Sequence, residues 1–154
     1  MNAILRIALA MVAASSLAGC LAPQDQRPGL RLTGEPTALP TDWSFTDAHK
    51  EIALQVRAPY LLPHSVTIWC AALDGQLYVA ARDPETKRWP GWVDRRPDVR
   101  LRIGDAIYPV RLTPLEDPNQ VAQARGAYSA KYRLPNPPPP GSPPLRYWRV
   151  APQR

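Results

Sequence analysis

The chain of 154 residues is 45% hydrophobic and 21% charged, so it has apolar material for one compact core rather than for two full-sized domains. This balance excludes collagen-like, coiled-coil and wholly disordered chains, although 20 prolines against 8 glycines need a local explanation. The formal net charge of +6 favours an anionic partner, such as a phosphate, a nucleic acid or a lipid surface, without choosing among them.

The N-terminus has the pattern of a secretory signal peptide. Residues 1–19 contain one charge, Arg6, followed by an apolar run over residues 7–14 that is shorter than the roughly 18 to 20 residues of a membrane-spanning helix. The segment ends in Leu17-Ala18-Gly19-Cys20, which resembles the lipobox of bacterial lipoproteins. That resemblance implies that Cys20 becomes a lipid-modified N-terminus, and Leu21 after it implies anchoring in the outer membrane of the cell envelope.

Residues 20–41 have the composition of a flexible tether, with four prolines, several polar residues and no apolar period. A flexible chain of about 20 residues spans roughly 25 Å on average, which predicts a folded domain, residues 42–154, standing clear of the lipid headgroups.

The alternative to lipid attachment is an ordinary signal peptide with Cys20 as an incidental thiol. Lipid on Cys20 would leave Cys70 as the one free thiol, so no internal disulfide is expected.

Apolar residues alternate with polar ones along most of the folded part. This period of two predicts five strands, which are Glu51–Arg57, Ser65–Leu73, Gln76–Ala81, Val99–Ile103 and Ala106–Thr113. Asp74-Gly75 and Gly104-Asp105 predict two-residue hairpin turns, because such turns need a positive φ. Pro109 lacks an amide proton, so we expect it at a sheet edge or a bulge.

A helix and a last strand follow the second hairpin. Asp117 as N-cap and a proline in the first helical position predict a helix over Pro118–Lys131, which Gly126 weakens. The prolines of residues 135–144 predict a stiff, extended loop. The alternative is that this loop is a ligand for a proline-recognition domain, which the predicted export of the protein from the bacterial cytoplasm disfavours. Tyr147–Val150 returns to strand character.

Two hairpins, a helix and a closing strand predict a mainly β, α+β fold, a small antiparallel barrel without open edges. The order resembles the split barrel of the pyridoxamine-phosphate-oxidase-like flavin-binding proteins, over Trp43 to Leu115 and the closing strand. The resemblance rests on Val66-Thr67-Ile68, Asp74-Gly75-Gln76-Leu77-Tyr78-Val79, Lys87-Arg88, Arg96-Pro97-Asp98-Val99-Arg100-Leu101 and Tyr147-Trp148-Arg149-Val150. It covers about half of the chain, and these are patterns of strand and turn rather than a catalytic signature.

The resemblance implies an FMN site, because basic and hydroxyl side chains of that family hold the flavin phosphate after the third strand. The corresponding residues here are Arg82, Thr86, Lys87 and Arg88. Arginine and lysine suit a phosphate dianion, and aromatic residues such as Trp69, Trp89 and Trp92 suit a flavin ring or the packing of a helix. The same charges also fit a solvated basic face or attraction to anionic lipid. Flavin sites of the family generally lie across a homodimer interface, which one sequence does not show.

Two functions from different classes remain. The first is a small-molecule oxidoreductase in which FMN supplies the chemistry. The second is a non-enzymatic envelope lipoprotein whose barrel binds a ligand or partner or is structural, favoured because the sequence offers no acid, base or nucleophile constellation. His49 and His64 have no Cys or carboxylate at ligand spacing, so no metal site is predicted, and the exported address disfavours nucleic acid.

Overall fold

The computed structural model describes residues 31–154, so the predicted signal peptide and Cys20 lie outside the described residues. The strands are β1 (Glu35–Pro36), β2 (Glu51–Arg57), β3 (Pro63–Leu73), β4 (Gln76–Arg82), β5 (Asp98–Ile103), β6 (Ala106–Pro114) and β7 (Leu145–Pro152). The helices are α1 (Arg88–Arg95) and α2 (Pro118–Tyr132), with 3-10 turns at Ser44–Ala48 and Pro84–Thr86. Each predicted strand and the predicted helix are present within three residues of their expected bounds.

Six of the strands close into an antiparallel barrel. Their order is β6-β5-β2-β3-β4-β7, and β7 pairs back onto β6 from Val110 opposite Pro152 to Pro114 opposite Trp148. The short β1 adds to β6 in parallel. This confirms the predicted split-barrel α+β fold, in which closure leaves few open edges.

The barrel interior is filled by alternate residues of the strands, as the period of two requires. Leu54, Leu101 and Val110 are fully buried there, and Trp148 of β7 joins the same cluster. Helix α1 contributes Trp89 and Val93 to this core.

Helix α2 packs on the outside of the barrel and forms a second core. Ala124 and Tyr128 of the helix meet Ala71, Tyr78 and Tyr147 from β3, β4 and β7. The helix begins where predicted, because the Asp117 carboxylate accepts a hydrogen bond of 2.8 Å from the Asn119 amide. This second core fixes α2 beside the candidate site.

The turns have the predicted backbone geometry. Asp74 and Gly75 have φ values of 50° and 75°, so both are positive, as a type I′ turn needs. Gly104 has a φ of 59° in the other hairpin. Pro109 lies opposite Arg100 of β5, between the residues of β6 that pair with β1 and those that pair with β7. No strand of the described chain pairs with Pro109 on the side of β6 away from β5. Its missing amide proton therefore breaks no row of interstrand hydrogen bonds on that side, as expected for a proline at an edge.

The packed chain starts before the expected boundary at residue 42. Leu32 is buried against Ala53 and Ile107, and its amide donates a 2.7 Å hydrogen bond to Gln55 Oε1. Two anchoring leucines, Leu32 and Leu39, and a two-residue strand leave no periodic pattern, so composition alone indicated a tether here. Within residues 31–154, no helix is both long and apolar enough to cross a membrane. A chain beginning at residue 20 retains both cores and the whole barrel.

Candidate functional site

The candidate site lies where β3 and β4 part. Residues 63–69 of β3 pair with β2, whereas residues 70–73 pair with β4. Residues 78–82 of β4 pair with β7 on the other side. Because alternate residues of a strand direct their backbone groups to opposite sides, both strands present unpaired edge groups to the opening between them. This opening is the split of the barrel.

Two tyrosines of α2 bond to backbone groups at the rim of the split, and one of them bridges β3 and β4. The Tyr128 hydroxyl lies 2.8 Å from the Trp69 carbonyl oxygen and 3.3 Å from that of Tyr78, so it donates between β3 and β4. The Tyr132 hydroxyl accepts from the Cys70 amide at 3.0 Å and lies within 2.8 Å of the Cys70 and Lys50 carbonyl oxygens. Burial raises the pKa of both tyrosines above their ordinary value, so they stay protonated donors at neutral pH.

A groove of about 940 Å³ occupies the split, which is within the range of small-molecule sites. β3 and β4 form its floor, α2 forms one wall, and residues 134–144 form a roof of prolines. The roof is held at both ends, because the Asp83 amide donates to the Pro144 carbonyl at 2.9 Å and the Leu134 amide to the Ser129 carbonyl at 3.1 Å. The predicted proline loop therefore covers a cavity as well as spacing a strand.

Three cations and one acid line the groove. Arg82, Lys87 and Arg125 supply the positive charge, and Glu51 is the single acid among the lining residues of the described chain. The Lys87 ammonium donates to the Arg82 carbonyl at 2.5 Å, which leaves two of its three N–H groups for a ligand. The Arg82 guanidinium lies 3.9 Å from the exposed Asp83 carboxylate, a pair that solvent weakens. The groove therefore carries uncompensated positive charge.

The Tyr147 hydroxyl is a buried polar group of the groove wall. Arg125 is its polar neighbour: the geometry of a full hydrogen bond is not met, but the guanidinium lies close enough to interact with the hydroxyl both as a hydrogen-bond donor and by its charge. Burial raises the Tyr147 pKa, and the Arg125 guanidinium opposes part of that rise. The Tyr147 hydroxyl and the Arg125 guanidinium thus form a polar patch on this wall of the groove.

Two tryptophans give the groove aromatic surface. Trp69 stacks on Tyr132 with ring centroids 4.4 Å apart and an interplanar angle of 13°, and 39% of Trp69 remains exposed. Trp89 is buried and lies 5.0 Å from the Trp148 ring. Aromatic walls beside a few polar groups are the usual composition of a site for a planar ligand.

The structure brings some of the predicted residues together and not others. Arg82, Lys87 and Trp89 line the groove. Thr86 and Arg88 are exposed and are not among its lining residues; the Thr86 hydroxyl instead donates to the Asp83 carbonyl at 2.8 Å. Trp92 faces away, toward Tyr60 and His64. Neighbouring residues at a helix start point in different directions, so a contiguous basic run does not become one site.

Arg125, Tyr147 and the proline roof were missed by the sequence reasoning. Arg125 lies three and four residues before Tyr128 and Ser129, and both of these also line the groove, so helical spacing carried a usable signal. Within the described chain, no group of three or more His, Cys, Asp or Glu side chains is placed to hold a metal ion.

Solved structures share this fold. A conserved hypothetical protein from Mycobacterium tuberculosis aligns with a TM-score of 0.55 and 16% identity over 71% of this chain and 77% of its own. A protein from Listeria innocua, assigned by name to the pyridoxamine 5'-phosphate oxidases, aligns with a TM-score of 0.52 and 17% identity over 70% of this chain and 87% of its own. An FAD-binding protein from Mesorhizobium loti aligns with a TM-score of 0.50 and 17% identity over 70% of this chain and 82% of its own.

These likenesses define the class of the protein as a split barrel. No curated protein matches the sequence significantly. The model of a family of uncharacterized proteins conserved in bacteria, DUF2255, matches residues 45–138. The match covers more than half of the chain, so the protein belongs to this family. The matched residues extend from the first 3-10 turn to the proline roof and include most of the groove.

Proposed function

We propose that the groove in the split binds a phosphorylated flavin of the FMN type. The observation that carries this proposal is the combination, in one groove of about 940 Å³, of three cations with the exposed aromatic surface of Trp69. The named FAD-binding protein and pyridoxamine 5'-phosphate oxidase of the same fold support it.

The residues present fit such a ligand by their chemistry. Arg82 and Lys87 flank the end of β4 and supply charge-assisted donors for a phosphate dianion. Arg125 and the Tyr147 hydroxyl supply further donors on the wall formed by α2 and β7. The open face of Trp69 supplies a surface for a planar ring.

A bound flavin would supply hydride or electron transfer to a small molecule. The protein's contribution would be binding, orientation and electrostatics. Positive charge at Arg82, Lys87 and Arg125 would stabilise anionic groups of the ligand, and the raised pKa of Tyr147 keeps its hydroxyl protonated near neutral pH, so that it can donate a proton in a hydrogen bond.

The neighbours Lys87 and Arg88 provide a matched test, because one lines the groove and the other does not. We expect the chain from residue 20 to bind FMN saturably at physiological salt, and Lys87→Ala to weaken that binding at least tenfold, since a charge-assisted bond contributes roughly 1.5 to 3 kcal/mol. Arg88→Ala removes the same charge outside the groove and should change the dissociation constant by less than twofold. Equal weakening of FMN binding by the two variants would contradict a phosphate site in the groove and would indicate a general electrostatic surface.

A lipid anchor at Cys20 and a place in the outer membrane are part of the same proposal. The lipobox-like Leu17-Ala18-Gly19-Cys20 supports them. Mass spectrometry of the membrane-extracted protein should find an acylated Cys20 as the first residue. A Cys20→Ser chain still processed at this site, and still membrane-bound after a high-salt wash, would contradict the anchor. The homodimer that the resemblance implies stays a prediction, and light scattering on the same sample tests it.

A further inference from the structure

The loop between β2 and β3 carries three consecutive exposed apolar side chains. Tyr60, Leu61 and Leu62 are 59%, 63% and 55% exposed, which makes them the most exposed large hydrophobic residues of the described chain. Isolated exposed apolar residues are ordinary, whereas a contiguous group of them at a projecting loop marks an interaction surface. We call residues 60–62 the apolar tip.

Hydrogen bonds fix the apolar tip in place. The Leu61 amide donates to the Ala58 carbonyl at 2.9 Å, and the Ala58 amide donates to the Leu62 carbonyl at 3.1 Å, while Ala58 itself is fully buried. Leu61 has a φ of 66°, a conformation that leucine rarely adopts. Tyr60 meets the Trp92 ring edge to face with centroids 6.3 Å apart. The tip is thus a built projection, in which a strained backbone directs leucines outward.

Positive charge accompanies the apolar tip. Arg57 ends β2 immediately before the loop, and Arg95 and Arg96 follow the turn of α1 that carries Trp92. All three arginines are exposed, and none forms an ion pair within residues 31–154. The nearby acids are already paired.

Those acids are Asp94 and Asp98. The Asp94 carboxylate takes two hydrogen bonds of 2.8 Å from Arg146, and Asp98 takes one of 2.9 Å from Arg111. Neither carboxylate is therefore left to neutralise the arginines beside the tip. The arrangement is an apolar projection with an unbalanced cationic surround.

We propose that the apolar tip docks on an anionic lipid surface. Leucine side chains and a tyrosine ring suit the boundary between headgroups and acyl chains, and arginines beside them suit lipid phosphates. A second copy of the chain fits less well, because a two-fold interface through the tip would bring the same arginines toward each other. The tip and the groove use different residues, so this proposal is independent of flavin binding.

The proposal is also independent of a lipid on Cys20, although the two are compatible. Arg31 lies eleven residue steps after Cys20, and at about 3.3 to 3.6 Å per step this length of chain reaches at most about 40 Å. A chain anchored at Cys20 would hold the barrel close enough for the tip to contact the same membrane. The tip would then orient the barrel on that surface.

Vesicle co-sedimentation tests the proposal on a chain from residue 20 with Cys20→Ser, so that no lipid is attached. The probe is a vesicle of phosphatidylcholine with about one third phosphatidylglycerol. We expect Leu61→Asn with Leu62→Ser to lower the partition coefficient at least tenfold, and asparagine tolerates the backbone conformation of Leu61. Phe45→Ser, which removes an exposed aromatic residue elsewhere, is the matched control and should change it less than twofold.

A separate variant tests the arginines beside the apolar tip. Arg95→Gln with Arg96→Gln should weaken binding to the anionic vesicles severalfold and leave the weaker binding to pure phosphatidylcholine unchanged. Thermal melting checks that each variant is folded. The proposal is overturned if the folded wild-type chain does not bind the vesicles, if the tip variant binds as well as wild type, or if light scattering shows a dimer that the tip variant dissociates.

Discussion

At the scale of single residues, the hydroxyl of Tyr128 has a structural role that can be measured. It donates to carbonyl oxygens of both β3 and β4 at the rim of the split. Tyr128→Phe leaves these carbonyls without that donor in a buried setting, so we expect the free energy of unfolding to fall by about 1 to 3 kcal/mol in urea.

The Tyr60 hydroxyl provides the matched control, because it forms no hydrogen bond within the described chain. Tyr60→Phe should leave the free energy of unfolding unchanged within about 0.5 kcal/mol. A Tyr128→Phe chain as stable as Tyr60→Phe would contradict the bridging role.

Buried thiol and phenol groups predict how stability depends on pH. Burial raises the pKa of Cys70 from its ordinary 9.0, against a smaller opposite effect of Lys131, and burial also raises the pKa of Tyr128, Tyr132 and Tyr147. The unfolded chain therefore releases these protons first as the pH rises. The free energy of unfolding should be level up to about pH 8 and fall above about pH 9, by at most about 1.4 kcal/mol per pH unit for each group.

Cys70→Ser isolates the earliest of these titrations, since a serine hydroxyl does not ionise in this range. The decline should then begin near pH 10, where free tyrosine ionises. Urea melts at half-unit steps of pH measure both curves. An identical alkaline decline in the two proteins would show that the Cys70 thiol does not contribute.

At the scale of elements, two glycines are expected to respond in opposite ways. Gly75 has a φ of 75° in the turn between β3 and β4, and Gly126 lies inside α2 with no atom within 4 Å of an added Cβ. Gly75→Ala should cost about 1 to 2 kcal/mol because alanine is strained at positive φ. Gly126→Ala should add about 0.5 to 1 kcal/mol because alanine favours the helix. Thermal melting measures both, and the same sign for both variants would contradict the assigned conformations.

The elements were predictable because their signals are local. A period of two marks each strand, Asp74-Gly75 marks a turn, and Asp117 marks a helix start, and each depends on residues within a few positions. The packing of residues 31–41 was not predictable, because it depends on contacts of Leu32 and of β1 with residues more than 20 positions away in the sequence.

At the scale of the whole molecule, the groove shows why a site is harder to predict than a fold. Its lining comes from β2, β3, β4, β7, both helices and residues 134–144, and the groove opens where β3 changes partner at Cys70. The sequence pointed to Arg82, Lys87 and Trp89 through a family resemblance. Arg125 joins them when α2 packs on the outside of the barrel, and Tyr147 joins them when β7 pairs with β4.

The central claim is that this groove recognises the phosphate of a flavin. Calorimetric titration of the folded chain from residue 20 with FMN and with riboflavin, at physiological salt, tests it most directly because the two ligands differ only in the phosphate. We predict saturable FMN binding at least tenfold tighter than riboflavin binding, since only FMN carries a phosphate that can form charge-assisted bonds with the cations Arg82 and Lys87 of the groove. Equal affinities for the two flavins, or no saturable FMN binding by well-folded protein, would contradict the claim.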